Sequence, residues 1–196
     1  MAAAKRFEER KCRYFRKPGK VNTAEVLEAA AARAVELGIA CVIVPSVSGR
    51  TALAAREAFG KGVGVIAVTH VAGFEGPDTQ EMGTDARKGL ESSGVRVFTG
   101  QHAFGGVGRA VRNKLGTYQV DEIMAYTLRT FGQGTKVAVE VALMAADAGL
   151  VRTDKDVIAL GGTYAGADTA LVIRPANSAR FFDLKVREVI CKPREF

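Results

Sequence analysis

The sequence predicts a three-layer α/β/α sandwich, in which helices cover both faces of a mostly parallel sheet. Short, continuous apolar runs are typical of strands that are buried on both faces. Alanine-rich segments with helical spacing separate most of these runs. The loops that follow the runs are rich in glycine, serine and threonine. The chain of 196 residues is long enough for one domain with a sizeable core, so we expect a single domain over residues 1–196.

The first half of the chain is predicted to alternate strands and helices. Residues 1–10 are polar and are expected to form a leader without regular structure. A helix should begin after Asn22, because Glu25 three residues later completes a pattern like a capping box, and it should end at Gly38. The strands predicted here cover residues 12–15, 40–44, 64–68 and 95–98, and the other helices cover 50–59 and 84–92.

The second half begins with helical patterns over about 107–149, with breaks near Gly116 and at 132–134. We interpret this block as an insertion or crossover within the same domain. Glu140 and Asp147 lie seven residues apart and therefore share a helix face. Both are expected to be surface acids, and a partly buried Glu140 would need a cationic partner such as Arg109 or Arg112. The remaining strands are predicted over residues 156–160, 170–174 and 187–191.

The net charge of +7, from 28 Lys and Arg against 21 Asp and Glu, suits an anionic partner, either a phosphorylated small molecule or a nucleic acid. A nucleic-acid interface is the less favoured class because the basic residues are not interleaved with aromatic ones. The basic cluster in the first 20 residues is interpreted as a solvated face. The cluster consists of Lys11, Arg13, Arg16, Lys17 and Lys20.

Several other classes of protein are disfavoured. No apolar run approaches the roughly 20 residues that span a bilayer, and the N-terminus lacks the apolar core of a signal peptide, so we expect a cytoplasmic protein without membrane contact. Three widely spaced cysteines argue against a disulfide framework, and only two histidines argue against a metal site. The motifs of P-loop, α/β-hydrolase and Rossmann dinucleotide proteins are absent from the sequence.

The first candidate binding loop follows the predicted strand at 40–44. Parallel sheets bind ligands beyond the carboxyl ends of their strands, so the loops at that edge matter most. Ser46, Ser48 and Thr51 offer hydroxyl groups, Gly49 permits close backbone approach, and Arg50 adds a positive charge. A helix starts there, and its unpaired N–H groups favour an anion such as phosphate. The alternative is that Ser48 only caps the helix.

The second candidate loop joins the strands at 156–160 and 170–174. Its residues could approach, hydrogen-bond or stack on a ligand, although a long flexible connection is the alternative. The candidates are Gly162, Thr163, Tyr164, Gly166, Asp168 and Thr169.

Both histidines of the chain fall at the same predicted edge. Thr69 and His70 end the third strand, and His102 follows the fourth. Either histidine could hydrogen-bond a ligand or transfer a proton near neutral pH, and a plain surface position is the alternative.

Two long segments resemble the C-terminal domain of pyruvate kinase. They are CVIVPSVSGRTALAAREAFGKGVGVIAVT at 41–69 and AADAGLVRTDKDVIALGGTYAGADTALVIRP at 145–175. In that family the two corresponding loops hold a phosphorylated effector sugar. The resemblance therefore implies that the residues from Ser46 to Thr51 cradle a phosphate and that residues 162–169 face them. Nothing resembles the catalytic barrel, so pyruvate kinase activity is not expected.

Over nearly its whole length the chain is similar to stand-alone archaeal and bacterial proteins named for the pyruvate kinase alpha/beta domain. The shared stretches include "VE…MAADAG", "GG…GADTA", "VIRPA" and "FFD". This resemblance implies FMN as the ligand, with its ring system among His70, His102 and Tyr164. We also expect a homo-oligomer. Two alternatives stay open, namely a flavin-dependent or other small-molecule enzyme that uses His70 or His102, and a basic nucleic-acid-binding protein.

Overall fold

The computed structural model describes residues 6–196. Residues 1–5 of the expected leader lie outside the described residues, and residues 6–10 contain neither helix nor strand. No helix of the described chain is long and apolar enough to cross a membrane.

The described strands form one seven-stranded sheet in the order β1-β7-β6-β5-β2-β3-β4. All neighbouring pairs are parallel except those of β6, which runs against both β5 and β7. The mostly parallel sheet predicted from the apolar runs is therefore confirmed. The strands are β1 (Arg13–Phe15), β2 (Cys41–Pro45), β3 (Gly64–Thr69), β4 (Val95–Thr99), β5 (Val157–Gly161), β6 (Thr169–Arg174) and β7 (Lys185–Pro193).

Helices cover both faces of the sheet, as the three-layer prediction requires. Side chains alternate along each strand, so Val42 and Val44 join one core while Ile43 joins the other. The first core lies under three helices, α1 (Thr23–Leu37), α2 (Arg50–Phe59) and α3 (Thr84–Ser92). The second core lies under α5 and α6, and α4 packs on α5. These helices are α4 (Gly106–Leu115), α5 (Val120–Arg129) and α6 (Gln133–Asp147).

The start of α1 corrects one prediction from the sequence. Asn22 occupies the cap position but its side chain makes no capping hydrogen bond. Its amide nitrogen instead donates to the carbonyl oxygens of Lys17 and Gly19, so it stabilises the preceding turn. The predicted end of the helix is confirmed, because Gly38 adopts a left-handed conformation with φ 62° and its N–H bonds back to Ala34.

The block from α4 to α6 connects the edge strand β4 to the inner strand β5, which confirms the crossover prediction. Gly116 ends α4 with φ 71°, and Gly132 precedes α6 with φ 118°, so both predicted breaks occur where glycine is needed. Twelve of the fifteen residues of α6 are buried. Two of its charged residues, Lys136 and Glu140, are therefore enclosed, whereas Asp147 at its end is exposed.

Candidate functional site

A cleft of about 1060 Å³ lies at the carboxyl edge of the sheet. It collects eleven of the fourteen residues that the sequence singled out. The predicted residues that line it are Ser46, Ser48, Arg50, Thr51, Thr69, His70, His102, Gly162, Thr163, Tyr164 and Gly166. Topology explains this, because β2, β3, β4 and β5 all end at this edge and β6 begins there.

Gly49 is one of the three predicted residues that do not line the cleft. It precedes α2 in a left-handed conformation with φ 84°. A Cβ atom at this position would lie 3.3 Å from Cδ1 of Leu90 on α3. Gly49 therefore serves the local fold, because it lets the loop turn closely over α3.

The start of α2 is not capped by Ser48, contrary to the alternative considered from the sequence. No side chain caps this helix in the usual way. The N–H of Ala52 donates to Oγ of the buried Ser46 at 3.3 Å. Ser48 is exposed and accepts a hydrogen bond from Nε of Arg50 at 3.3 Å. The N–H groups of Arg50 and Thr51 have no acceptor among the described residues, so the first turn of α2 is open to an anion.

Asp168 and Thr169 are fully buried beneath the second loop. Oδ2 of Asp168 accepts the N–H groups of Gly19 at 2.9 Å and of Thr163 at 3.1 Å. Its Oδ1 accepts the Thr169 hydroxyl at 2.8 Å. This carboxylate therefore organises the loop that lines the cleft, and both residues lie behind the surface that a ligand would touch.

The two histidines lie side by side in the cleft, with ring centres 5.3 Å apart. Nδ1 of His70 is 2.6 Å from Oε2 of Glu81. Nε2 of His102 accepts the N–H of Val71 at 3.4 Å, which leaves the proton of the neutral ring on Nδ1. Burial lowers the pKa of His102 below its ordinary value of 6.5, and the nearby Glu140 carboxylate opposes that shift only in part. His102 is therefore neutral at pH 7.

A wall of the cleft that the sequence did not predict comes from the helices α4, α5 and α6. It consists of Arg109, Arg129, Lys136 and Glu140. Nζ of Lys136 lies 2.5 Å from Oε2 of Glu140, and the side chains of both residues are only 7% exposed. Burial lowers the pKa of Lys136, while Glu140 counteracts this effect.

The expectation that Glu140 is a surface acid, or is paired with Arg109 or Arg112, is wrong. Glu140 is buried, its partner is Lys136 one helical turn earlier, and it also accepts the N–H of Phe104 at 3.1 Å. The signal in the sequence was the Lys–Glu pair at i,i+4 spacing within the apolar stretch KVAVEVALM. Asp147 is exposed, as predicted, and accepts hydrogen bonds from Ser178.

The charged side chains that line the cleft are mostly positive. The cationic ones are Lys20, Arg50, Arg109, Arg129 and Lys136, against the single carboxylate of Glu140. Because a concave surface of one sign concentrates its field, the cleft favours an anionic ligand. Lys20 was not among the predicted site residues, because the sequence alone placed it in a basic face near the N-terminus.

Comparison with known proteins matches most of the chain to one family. A family model described as the pyruvate kinase alpha/beta domain matches residues 24–173. A crystal structure of a pyruvate kinase from Cryptosporidium parvum is 16% identical and covers 82% of this chain and 24% of that one, with a TM-score of 0.43. A complex of Cryptosporidium parvum pyruvate kinase with ADP is 18% identical and covers 80% of this chain and 23% of that one, with a TM-score of 0.39. The chain thus spans about a quarter of the length of these enzymes.

Proposed function

The chain belongs to the pyruvate kinase alpha/beta domain family, and from this premise we propose that its cleft binds a phosphorylated small molecule, with FMN as the specific candidate. The observation that carries the proposal is the first turn of α2. Its unpaired N–H groups open into a cleft in which five cations face one carboxylate. A phosphate group matches both features, because it accepts several hydrogen bonds and carries the opposite charge.

The phosphate would lie against Ser48, Arg50 and Thr51. The two N–H groups of the first turn and the Ser48 and Thr51 hydroxyls supply donors. Arg50 supplies a cation whose only hydrogen-bond partner within residues 6–196 is Ser48. Across the cleft, Oγ1 of Thr163 is buried without a hydrogen-bond partner among the described residues. A buried hydroxyl that lacks a partner is unfavourable, so a ligand oxygen that reached it after a small adjustment of the loop would form a stabilising hydrogen bond.

The size and lining of the cleft support a ligand larger than a phosphate ion. A volume of about 1060 Å³ is at the upper end of small-molecule pockets. Tyr164 projects fully into solvent at its rim, with a backbone φ of 64°, and Phe74 and His102 line another side. FMN combines a phosphate with a flat ring system that such aromatic side chains can contact.

The proposal concerns binding and not phosphoryl transfer. The family match covers an alpha/beta domain, and the chain spans about a quarter of the pyruvate kinases it resembles. The second candidate function, a flavin-dependent or other small-molecule enzyme, is favoured by His102 alone. This histidine lines the cleft with its Nε2 occupied by the backbone, which leaves Nδ1–H as a proton donor toward a ligand.

The test compares FMN with riboflavin, which lacks the phosphate, by fluorescence titration of the full chain. We expect wild type to bind FMN more tightly than riboflavin. The double substitution S48A/R50A should weaken FMN about tenfold or more, through loss of charge-assisted hydrogen bonds, and leave riboflavin unchanged. Lys61→Ala, which removes an exposed cation beyond the other end of α2, is the control for net charge and should bind both ligands like wild type.

Equal affinity of wild type for FMN and riboflavin would contradict the phosphate assignment. If neither flavin binds, a panel of sugar phosphates and nucleotides, screened by thermal shift, decides between a different phosphorylated ligand and the failure of the proposal. For the second candidate, His102→Ala should preserve FMN binding while abolishing any flavin reduction by NAD(P)H that wild type shows. If His102→Ala still reduced the flavin, His102 would not be the proton donor of such an enzyme.

A further inference from the structure

Residues 16–23 form an N-terminal segment that runs from the end of β1 to the first residue of α1, and they precede the region matched by the family model, which begins at residue 24. Lys20 and Thr23 of this segment line the cleft. We propose that this segment completes the ligand site and that Lys20 contacts the anionic group of the ligand. The inference rests on the proposed function, because it assumes a phosphorylated ligand. It assigns a binding role to part of the basic cluster that the sequence suggested was only a solvated face.

Strand pairing brings the segment to the ligand edge. β1 pairs in parallel with β7, with Arg13 opposite Cys191 and Phe15 opposite Pro193. Because β7 and β5 both run against β6, β1 points in the same direction as the central strands. The chain therefore leaves β1 at the carboxyl edge, and residues 16–22 cross that edge before α1 begins.

A buried carboxylate ties the segment to the glycine-rich loop. Oδ2 of Asp168 accepts both the N–H of Gly19 and the N–H of Thr163. Gly19 has φ 103°, a conformation that other residues adopt only with strain. One oxygen atom thus sets the position of the segment relative to the loop across the cleft from α2.

The N-terminal segment also packs directly against the glycine-rich loop. Oγ1 of Thr23 accepts the N–H of Ala167 at 3.0 Å. A Cβ atom at Gly166 would lie 2.7 Å from Cα of Lys20, so no side chain fits between the loop and the segment. The loop that lines the cleft rests on the segment, and the two form one structural unit.

Lys20 is the cation that this unit presents to the ligand. It is exposed and lines the cleft, and its ammonium group has no hydrogen-bond acceptor or carboxylate partner among residues 6–196. Lys136 in the same cleft is already paired with Glu140. Lys17 lies three residues before Lys20 and is also exposed, but it does not line the cleft, which makes it a matched control.

The experiment measures the dissociation constants of FMN and riboflavin for the full-length variants Lys20→Gln and Lys17→Gln. We expect Lys20→Gln to weaken FMN about three- to tenfold, as for one charge-assisted contact at a partly exposed site, and to leave riboflavin unchanged. Lys20→Arg should restore most of the FMN affinity, and Lys17→Gln should match wild type. Equal FMN affinities of Lys20→Gln and Lys17→Gln would overturn the assignment of Lys20.

A second pair of variants tests the structural connection. Thr23→Val removes the acceptor for Ala167 N–H at nearly constant size and should weaken FMN and riboflavin alike, because it loosens the loop and removes no charge. Thr23→Ser keeps the acceptor and should bind like wild type. Unchanged binding in Thr23→Val would refute the positioning role of the segment.

The outcomes separate this inference from the proposed function. If S48A/R50A loses FMN selectively and Lys20→Gln does not, only the role of Lys20 fails. If wild type binds neither flavin nor any phosphorylated compound of the panel, the proposed function fails and this inference fails with it.

Discussion

The two walls of the cleft differ in how they carry positive potential. The loop wall, formed by residues 45–48, 50, 51 and 162–166, offers backbone N–H groups, hydroxyls and the exposed Arg50. The helical wall, formed by Arg109, Arg129, Lys136 and Glu140, carries its charges on side chains of three helices, and its central ion pair is buried. We therefore expect the loop wall to bind an anion with groups that contribute little to folding stability. The helical wall instead places the charges of its central ion pair inside the folded core.

Solvent exposure causes this difference. Ser48 and Arg50 are exposed, and among the described residues their side chains hydrogen-bond only each other, so their loss leaves no described buried group without a partner. Lys136 and Glu140 are shielded from water, and each needs the other because an isolated buried charge is very costly. Substitutions in the loop wall should therefore change binding with little effect on stability, and substitutions in the helical wall should change both.

The largest expected effect is that of Glu140→Gln. This change leaves the Lys136 ammonium buried without its carboxylate and should lower the free energy of unfolding by about 3–5 kcal/mol. The matched control is Glu91→Gln, which breaks the exposed i,i+4 pair with Arg87 and should cost less than about 1 kcal/mol. Urea denaturation measures both. If both substitutions lowered the free energy of unfolding equally, burial would not make the ion pair of the helical wall more important for stability than an exposed pair.

In the loop wall, Gly166 is the position at which a substitution should reduce stability most. Gly166→Ala would place a Cβ atom against the backbone of Lys20 at a φ of 71° and should cost about 2–4 kcal/mol. Gly149→Ala is the control. Gly149 has a φ of 68°, but no atom of residues 6–196 lies within 4 Å of the added Cβ, so strain alone should cost about 1 kcal/mol. Thermal or urea unfolding that ranks the two variants equally would argue against tight packing of the loop on the N-terminal segment.

The protonation of His102, which lies next to the helical wall, should change the free energy of unfolding by less than Glu140→Gln or Gly166→Ala does. Burial lowers the pKa of His102 below 6.5, so in acid the unfolded chain binds a proton at this residue more readily than the folded chain does. The contribution of His102 to stability should therefore be constant above pH 6.5 and should decrease as the pH falls from 6.5 through the folded pKa. Stability curves of wild type and His102→Gln should diverge only in this acidic range, and parallel curves there would contradict the lowered pKa.

The smallest expected change in stability is that of S48A/R50A. Both side chains are exposed, so the free energy of unfolding should stay within about 0.5 kcal/mol of wild type while FMN affinity falls. Urea denaturation of the same preparations used for the titrations checks this. If S48A/R50A lost as much stability as Glu140→Gln, the charged groups of both walls would contribute to folding, contrary to the proposed difference.

Much of the fold was predictable because its signals are local. The helices over 50–59 and 84–92 match the predicted bounds, since helical spacing and flanking glycines define them within the sequence. The loop wall was predictable for a related reason: in a parallel sheet, any loop that follows a strand reaches the same edge. The partners of individual polar groups were not predictable, as the side chains of Asn22 and Ser48 show, because several nearby acceptors and donors compete for each of them.

The sequence by itself determined the order and type of the elements and the edge at which small polar residues gather, because periodicity and glycine placement act over a few residues. The apolar neighbours of Glu140 already indicated a largely buried helix, which α6 confirms. Only the tertiary structure decided that its Lys136–Glu140 pair lines the cleft, and that β1 brings Lys20 to the same cleft. Lys136 lies 116 positions after Lys20 in the chain. Their presence in one cleft depends on sheet order and helix packing, which arise only when the chain is folded.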